Sequence, residues 1–448
     1  MLINIEEIKS LLEEKRYNEL RARLSDLNEA DVASLLEGLN KEEQLRVFRL
    51  LPKDMAADVF AFLPTDVEQE IITSLTDAES SNIINGLMAD DAADLMEEMP
   101  ASVVKKLLSN CSPETRRDIN HLLKFPEDSA GSIMTVEFMD LRENLTVSEA
   151  IDRIRKTGLD RETINTCYVL DNKRRLIGIV PLRTLILSHP EAMIRDVMEE
   201  NVISVETMTD QEEVARLISR YDFNSIPVVD SEKRLVGIIT VDDIVDIIQE
   251  EATEDIQKMA AIIPTDEPYP KMTVATLWKK RVGWLLLLMV SATFTGRIIT
   301  SYENALGVYI ILTAFIPMLM DTGGNCGSQA STTVIRALSL NEISFTDLAK
   351  VIWKEFCAAI ICGITLALAN FVKLIVVDQV TITVALIVCI TLIMAVICAN
   401  VVGSALPMLA RRLGFDPAVM ASPFITTIID AVTLTIYFQI ATRMLHIG

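Results

Sequence analysis

Apolar residues are spaced in three different ways along this chain, one after another. Over residues 27–119 they recur every 12 positions, at Leu27, Leu39, Leu51, Leu63, Leu75, Leu87, Met99 and Cys111. Eight residues after each comes a second apolar position: Leu35, Val47, Val59, Ile71, Ile83, Leu95, Leu107 and Ile119. Pro follows the first position in Leu51-Pro52, Leu63-Pro64 and Met99-Pro100. Units this short, each opened by a turn signal, predict stacked short helices wound into a solenoid. The prolines are expected in the first helical turn, where a missing N–H does no harm. No catalytic constellation sits on this scaffold, so binding or regulation is its expected role.

The spacing changes at residue 128. Tyr168-Val-Leu-Asp171-Asn-Lys-Arg-Arg-Leu176-Ile-Gly178-Ile-Val matches Pro227-Val-Val-Asp230-Ser-Glu-Lys-Arg-Leu235-Val-Gly237-Ile-Ile at an offset of 59. Each copy reads strand, turn, strand, helix, with helices over 182–187 and from 241 onward. Ser132-Ile-Met-Thr135 and Asp196-Val-Met-Glu199 open the two copies. The tandem resembles a pair of CBS domains, which implies a flat α/β module that often binds nucleotides or ions. For a nucleotide such as ATP, Arg183 and Tyr168 are the candidate contacts. The second helix is predicted to continue to Met259, with Glu251, Glu254 and Asp255 on one face at i, i+3 and i+4. Pro264, Pro268 and Pro270 then break the chain.

The last pattern is a series of long apolar runs, at 282–300, 305–320, 351–377, 380–409 and 420–442. Each is long enough, or nearly so, to cross a hydrocarbon core about 30 Å thick. With Lys279, Lys280 and Arg281 in the cytoplasm, Arg336, Lys350, Lys354, Arg411 and Arg412 fall there too. Only Arg297, Lys373 and Arg443 fall outside, as the positive-inside rule expects. Five spans then put the N-terminus in the cytoplasm and the C-terminus outside. The second run merges into Asp321-Thr-Gly-Gly-Asn325, so its end is expected to break.

Charge divides the 448-residue chain. Of the net −22, residues 271–448 carry a balance of +4 and residues 1–270 a balance of −26. So acidic a half excludes nucleic acid as a partner, because phosphate binding needs basic patches, and it attracts cations. The seven cysteines form no CxxC or Cys/His cluster and read as reduced thiols. Three histidines, His121, His189 and His446, give no acid–base or metal constellation, and no enzyme activity is expected. The first residues lack a basic n-region and a long apolar core, so no signal peptide is expected.

Candidate chemistry in the apolar half falls in two places. One is Gly323-Gly324-Asn325-Cys326-Gly327-Ser328-Gln329; the other runs from Asp416-Pro417 through Ser422-Pro423 and Thr426-Thr427 to Asp430. A carboxylate at membrane depth costs roughly 3 kcal/mol on insertion scales. Asp430 is therefore expected to face water or a cation, the bland reading being a hydrogen bond to a neighbouring helix. Carboxylate, amide and carbonyl oxygens suit Mg²⁺ better than a soft metal. The Gly-rich segment lacks the Lys-Ser/Thr ending of a phosphate-binding loop.

With both motifs in hand, the chain resembles the MgtE family of magnesium channels or transporters over nearly its whole length. The resemblance implies a multidomain protein in the cell inner (plasma) membrane. Its parts would be an α-helical solenoid N domain (1–127), an α/β CBS pair (128–249), an acidic connecting helix and linker (250–270) and an all-α five-span transmembrane pore domain (271–448). It also implies a homodimer embedded in the lipid bilayer, with a pore between the two membrane domains. Asp430 would select Mg²⁺, with Asn325, Ser422 and Thr426 nearby. Cytosolic Mg²⁺ would close the pore through Asp90, Asp94, Asp222, Asp243, Asp246, Glu251, Glu254 and Asp255. A balance of −26 must repel itself in a closed packing unless cations neutralise it. The other readings left open are a Na⁺- or H⁺-coupled divalent-cation transporter and a membrane Mg²⁺ sensor that transports nothing.

Overall fold

The computed structural model describes residues 4–265, 269–302, 309–420 and 422–446, apart from the side chains of Asp54, Met420 and Ser422. The chain divides into two compact units, Met1–Ile248 and Gln249–Gly448.

In the first unit the 12-residue repeat becomes a run of short helices. Eight of them begin at residues 29, 41, 53, 65, 77, 89, 101 and 113, keeping the period without a slip. Helices two apart in sequence stack, the third on the fifth and the fourth on the sixth, so successive repeats alternate between two rows. The second apolar position of each repeat is buried from Val47 to Ile119. One detail differs from expectation. Pro52, Pro64 and Pro100 stand at the N-cap, one residue before the helix, rather than inside its first turn. At the same position in other repeats Asn28, Asn40, Thr76 and Ser112 accept a backbone N–H with their side chains. Seven of these eight starts thus use a capping oxygen or a proline-fixed φ, and Met88 uses neither.

Two small sheets follow. β1 (Phe138–Arg142) runs parallel to β2 (Thr163–Leu170), which pairs antiparallel with β3 (Leu176–Pro181). β4 (Val205–Glu206), β5 (Ser225–Val229) and β6 (Leu235–Thr240) repeat this order, and the offset of 59 holds in the register: Tyr168 faces Ile179 as Pro227 faces Ile238. The opening segments cross over. Met134, which opens the first copy, packs on Gly237 of the second, and Met198 packs on Gly178 of the first. Backbone bridges Thr135–Ile238 and Glu199–Ile179 reinforce the exchange, so neither copy completes its sheet alone. The helix predicted from Val241 runs unbroken to Met259.

Among the described residues of the second unit, four helices are long and apolar enough to cross a membrane: Val274–Ser301, Phe345–Val376, Ile382–Arg412 and Pro423–Leu445. A fifth long helix, Ile316–Ser339, packs on the last two of these. The sequence predicts five spans. The run expected over 305–320 instead joins a 3-10 turn, Ile310–Phe315, to the start of the Ile316–Ser339 helix, while residues 305–308 lie outside the described residues, as does Pro268. Ile382–Arg412 is the most buried of the four, and Val274–Ser301 buries none of its most apolar window. That exposed apolar surface requires lipid or protein around it.

The Gly-rich segment is not the break the sequence predicts. It is continuous helix, and its glycines are a packing face. At Gly327 a Cβ would stand 3.0 Å from Ile425 Cγ2, and at Gly323 3.0 Å from Ile429 Cγ2, both on the last helix. Opposite Gly327 lies Gly403, whose added Cβ would overlap the Gly327 carbonyl oxygen. Small residues let helices approach this closely where lipid offers no hydrophobic drive to associate.

Candidate functional site

Close packing of the Gly face decides what the other side of that helix presents. Asp321, Asn325 and Gln329, at i, i+4 and i+8, are exposed. None makes a side-chain hydrogen bond or ion pair among the described residues. Gly324 brings Thr426 alongside, a Cβ there standing 3.1 Å from Thr426 Cγ2. Thr426 itself donates Oγ1–H to the Pro423 carbonyl at 2.9 Å, and Thr427 does the same at 3.1 Å. One turn on, Asp430 is half-buried, and the charge it feels most is Asp321. No described hydrogen bond engages the Asp430 carboxylate, so the bland reading of a helix-to-helix tie finds no partner. Ser422 opens this helix, its side chain lying outside the described part.

The Asp416 end of the motif has a different task. Asp416 Oδ1 accepts from the Ala418 N–H at 2.8 Å, shaping the turn before the last helix. Asp416 Oδ2 accepts from Lys258 Nζ at 2.7 Å, and Lys258 also reaches Glu254 at 2.7 Å. Asp255 accepts from Ser339 Oγ at 3.3 Å, and Met259 packs on Ile335 and Ala418. Burial pushes the Asp255 carboxyl up, with Asp416 adding to the shift. The connecting helix therefore ends tied to the turn that starts the Asp430 helix. Glu251, on the same face, is half-buried.

A second acidic cluster forms within the first unit. Asp90 is 9% exposed and its carboxyl is pushed well above the usual range, by burial first and then by Asp91, Asp243 and Glu162. Burial and neighbouring acids raise Asp91 to about 7, Glu162 to about 7 and Glu68 to about 8. Asp243 is raised by burial, although Thr240 donates to it at 2.6 Å. Exposed Asp94 acts on Glu68, and exposed Asp246 on Asp243. The sequence singles out Asp90, Asp94, Asp243 and Asp246 but not Asp91, Glu162 or Glu68. Those three sit on separate elements, and only Asp91 carries a sequence signal, as part of the same Asp-Asp-Ala-Ala-Asp unit. Asp222 stands apart as the left-handed C-cap of the helix Gln211–Tyr221, at φ 54.

These carboxylates feel mainly other carboxylates, and hard oxygens in surplus suit a hard cation. Among the described residues no three His, Cys, Asp or Glu side chains already converge as a metal shell. Mg²⁺, which keeps several of its own waters, does not require one.

The raised carboxyls set a pH dependence. Without divalent cations Glu68, Asp91 and Glu162 hold their protons to about pH 7–8 in the native state, while an unfolded chain releases them near 4. The native state therefore binds more protons across that window, and its stability falls as pH rises through it, levelling off above about 8. Protease digestion of residues 1–248 is expected to run faster at about pH 8.5 than at about pH 5.5 without Mg²⁺, a difference that Mg²⁺ removes. The reverse order would contradict the cluster.

The nucleotide candidates separate. Arg183 is exposed, but Tyr168 is fully buried, its hydroxyl 2.8 Å from Ser225 Oγ and its ring edge-on to Phe138. Tyr168 packs the two copies together and offers no face to a ligand, which corrects the expectation from sequence.

Long apolar helices carrying polar groups without a partner among the described residues, in a chain whose other half is strongly acidic, suit the handling of a cation. The family model described as a divalent cation transporter, MgtE, matches residues 316–440; the MgtE intracellular N domain matches 27–128, and CBS domains match 130–189 and 194–250. The magnesium transporter MgtE of Thermus thermophilus is 39% identical over 80% of this chain and 80% of its own length. The Bacillus subtilis protein of the same name is 35% identical over 80% and 78%. The crystal structure of the cytosolic domain of the Mg²⁺ channel MgtE in complex with ATP covers 54% of this chain and 99% of its own, at 38% identity and TM-score 0.52. The chain belongs to the MgtE family of magnesium transporters.

Proposed function

We propose that this chain is a Mg²⁺-selective homodimeric channel of the inner membrane, with a cytoplasmic N-terminus and an external C-terminus, closed by cytosolic Mg²⁺. The observation that carries the reading is Asp430, half-buried and without a described partner, beside the exposed stripe Asp321, Asn325 and Gln329. Polar side chains exposed at membrane depth must be covered by protein or line water. A second copy related by a twofold axis covers the stripe and sets two Asp430 carboxylates across a wet path. Such a path passes Mg²⁺ with water still attached, as its reluctance to dehydrate requires.

The division into 1–127, 128–249, 250–270 and 271–448 gives each part a role. Mg²⁺ neutralises Asp90, Asp91, Asp243 and Glu162 and so holds the N domain on the CBS pair; Glu68, Asp94 and Asp246 extend the acidic field. Glu251, Glu254 and Asp255 carry that state to the pore, through the contacts of Asp255 with Ser339 and of Lys258 with Asp416. ATP, present with the relative's cytosolic domain, fits the CBS pair here through Arg183. Asp222 caps its helix through its backbone, which leaves its carboxylate to add to the acidic field.

Purified chain in vesicles with equal Na⁺ and H⁺ on both sides is expected to pass Mg²⁺ down its own gradient. Flux that needs a Na⁺ or H⁺ gradient would make it a coupled transporter, and binding without flux a sensor.

A further inference from the structure

A cavity of about 380 Å³ opens between the end of the Ile382–Arg412 helix and the 3-10 turn Phe345–Asp347. Leu338, Ile343 and Met408 give it apolar lining, and Phe345, Arg411 and Arg412 complete its wall. Arg411 donates Nη1–H to the Leu338 carbonyl at 2.6 Å and Nη2–H to Asn341 Oδ1 at 2.5 Å. Both acceptors are neutral, so the guanidinium is fixed while its charge is not cancelled. The Arg412 guanidinium lies 4.2 Å from the centre of the Phe345 ring. Neither arginine has an ion-pair partner among the described residues. Asp347, the last residue of this turn, directs its carboxylate back to the Ser344 N–H and Oγ, each at 3.1 Å, and Glu342 is exposed and does not line the cavity. The cavity therefore has two held positive charges over an apolar floor.

Phe345 begins one candidate span and Arg412 ends another, so a bilayer crossed by these two helices places the cavity near its headgroups. Arginines free to reach solvent at such a level need no explanation. Arg411 and Arg412 are exposed, but each guanidinium is held in place, one by fixed hydrogen bonds and one by an aromatic ring, as a pre-formed anion site requires.

We propose that this cavity binds an anionic phospholipid. Its phosphate pairs with Arg411 and Arg412, and its glycerol and first acyl carbons rest on Leu338, Ile343 and Met408. Inorganic phosphate satisfies the guanidinium groups but leaves the apolar floor wet, so the lipid is the better match. On the cytoplasmic side, where the basic residues place this end of the helices, anionic lipid is the one to which basic pockets between membrane helices bind. The proposal rests on membrane embedding and on the proposed cytoplasmic placement of this end of the helices, and it stands or falls separately from the pore.

The test is native mass spectrometry of the full chain in detergent, titrated with dioleoylphosphatidylglycerol, dioleoylphosphatidylcholine or inorganic phosphate. The glycerol lipid is expected to be retained about tenfold better than the choline lipid. Arg412→Gln should reduce its retention to the choline level, and Arg412→Lys, which keeps charge but loses the planar stack, should fall between. Equal retention of the two lipids by the wild-type chain would overturn the proposal by itself, even if a variant failed to fold. So would unchanged retention by Arg412→Gln, or displacement of the lipid by equimolar inorganic phosphate.

Discussion

Asp430→Ala is expected to abolish rescue of a magnesium-requiring strain while the protein still reaches the membrane. The size of the effect follows from Coulomb's law. A divalent ion about 5 Å from a carboxylate, one water away, gains roughly 2 kcal/mol at the dielectric of water and roughly 7 at an effective value of 20. Even the lower figure is about 30-fold in occupancy, and a twofold pore loses two carboxylates at once. Asp430→Asn keeps the shape and should fail as badly. Asp430→Glu, which keeps the charge, should retain part of the uptake. Growth in low Mg²⁺ together with membrane immunoblots checks all three; full rescue by Asp430→Ala would remove the residue from the path.

The second large effect concerns closure. Combined replacement of Glu251→Gln, Glu254→Gln and Asp255→Asn is expected to give uptake that high cytosolic Mg²⁺ no longer shuts off. Asp255 touches Ser339, and Glu254 shares Lys258 with Asp416 at the turn that starts the Asp430 helix. Loss of one partly buried charged contact is worth about 1.5 kcal/mol, or about tenfold in the Mg²⁺ needed for half inhibition. Loss of the Asp255 and Glu254 contacts together is expected to move the midpoint about a hundredfold. Isotope uptake against Mg²⁺ loading checks this; an unchanged midpoint would take the helix out of the gate.

Local pattern made most of the fold legible. The 12-residue repeat needed only cap chemistry and one buried position per unit, and helix starts fall on it from Glu29 to Pro113. The offset of 59 survived into strand register because paired strands tolerate no slip once one face is buried. What sequence missed depends on distance across the chain. Gly323, Gly324 and Gly327 read as a broken loop, because the helices that need their bareness lie about 75–100 residues further on. Asp90 and Asp94 stood out by helical spacing, whereas Glu162 joins them only when the 89–97 helix meets the start of β2. Tyr168 looked available and is core, since it packs among Phe138, Leu235 and Ile238 with its hydroxyl on Ser225, contacts that, Phe138 apart, form only when the two copies meet. Asp321, ambiguous in sequence, gains interest from its place one turn from Asn325 and near Asp430.

The central claim is that Mg²⁺ passes at Asp430 of this chain unaided. The most direct measurement is Mg²⁺ entry into vesicles carrying wild-type or Asp430→Ala protein at equal density, with low Mg²⁺ on the face bearing the acidic domains and no other ion gradient. Entry through the wild type and none through the variant is the predicted result. Equal entry through both would contradict it.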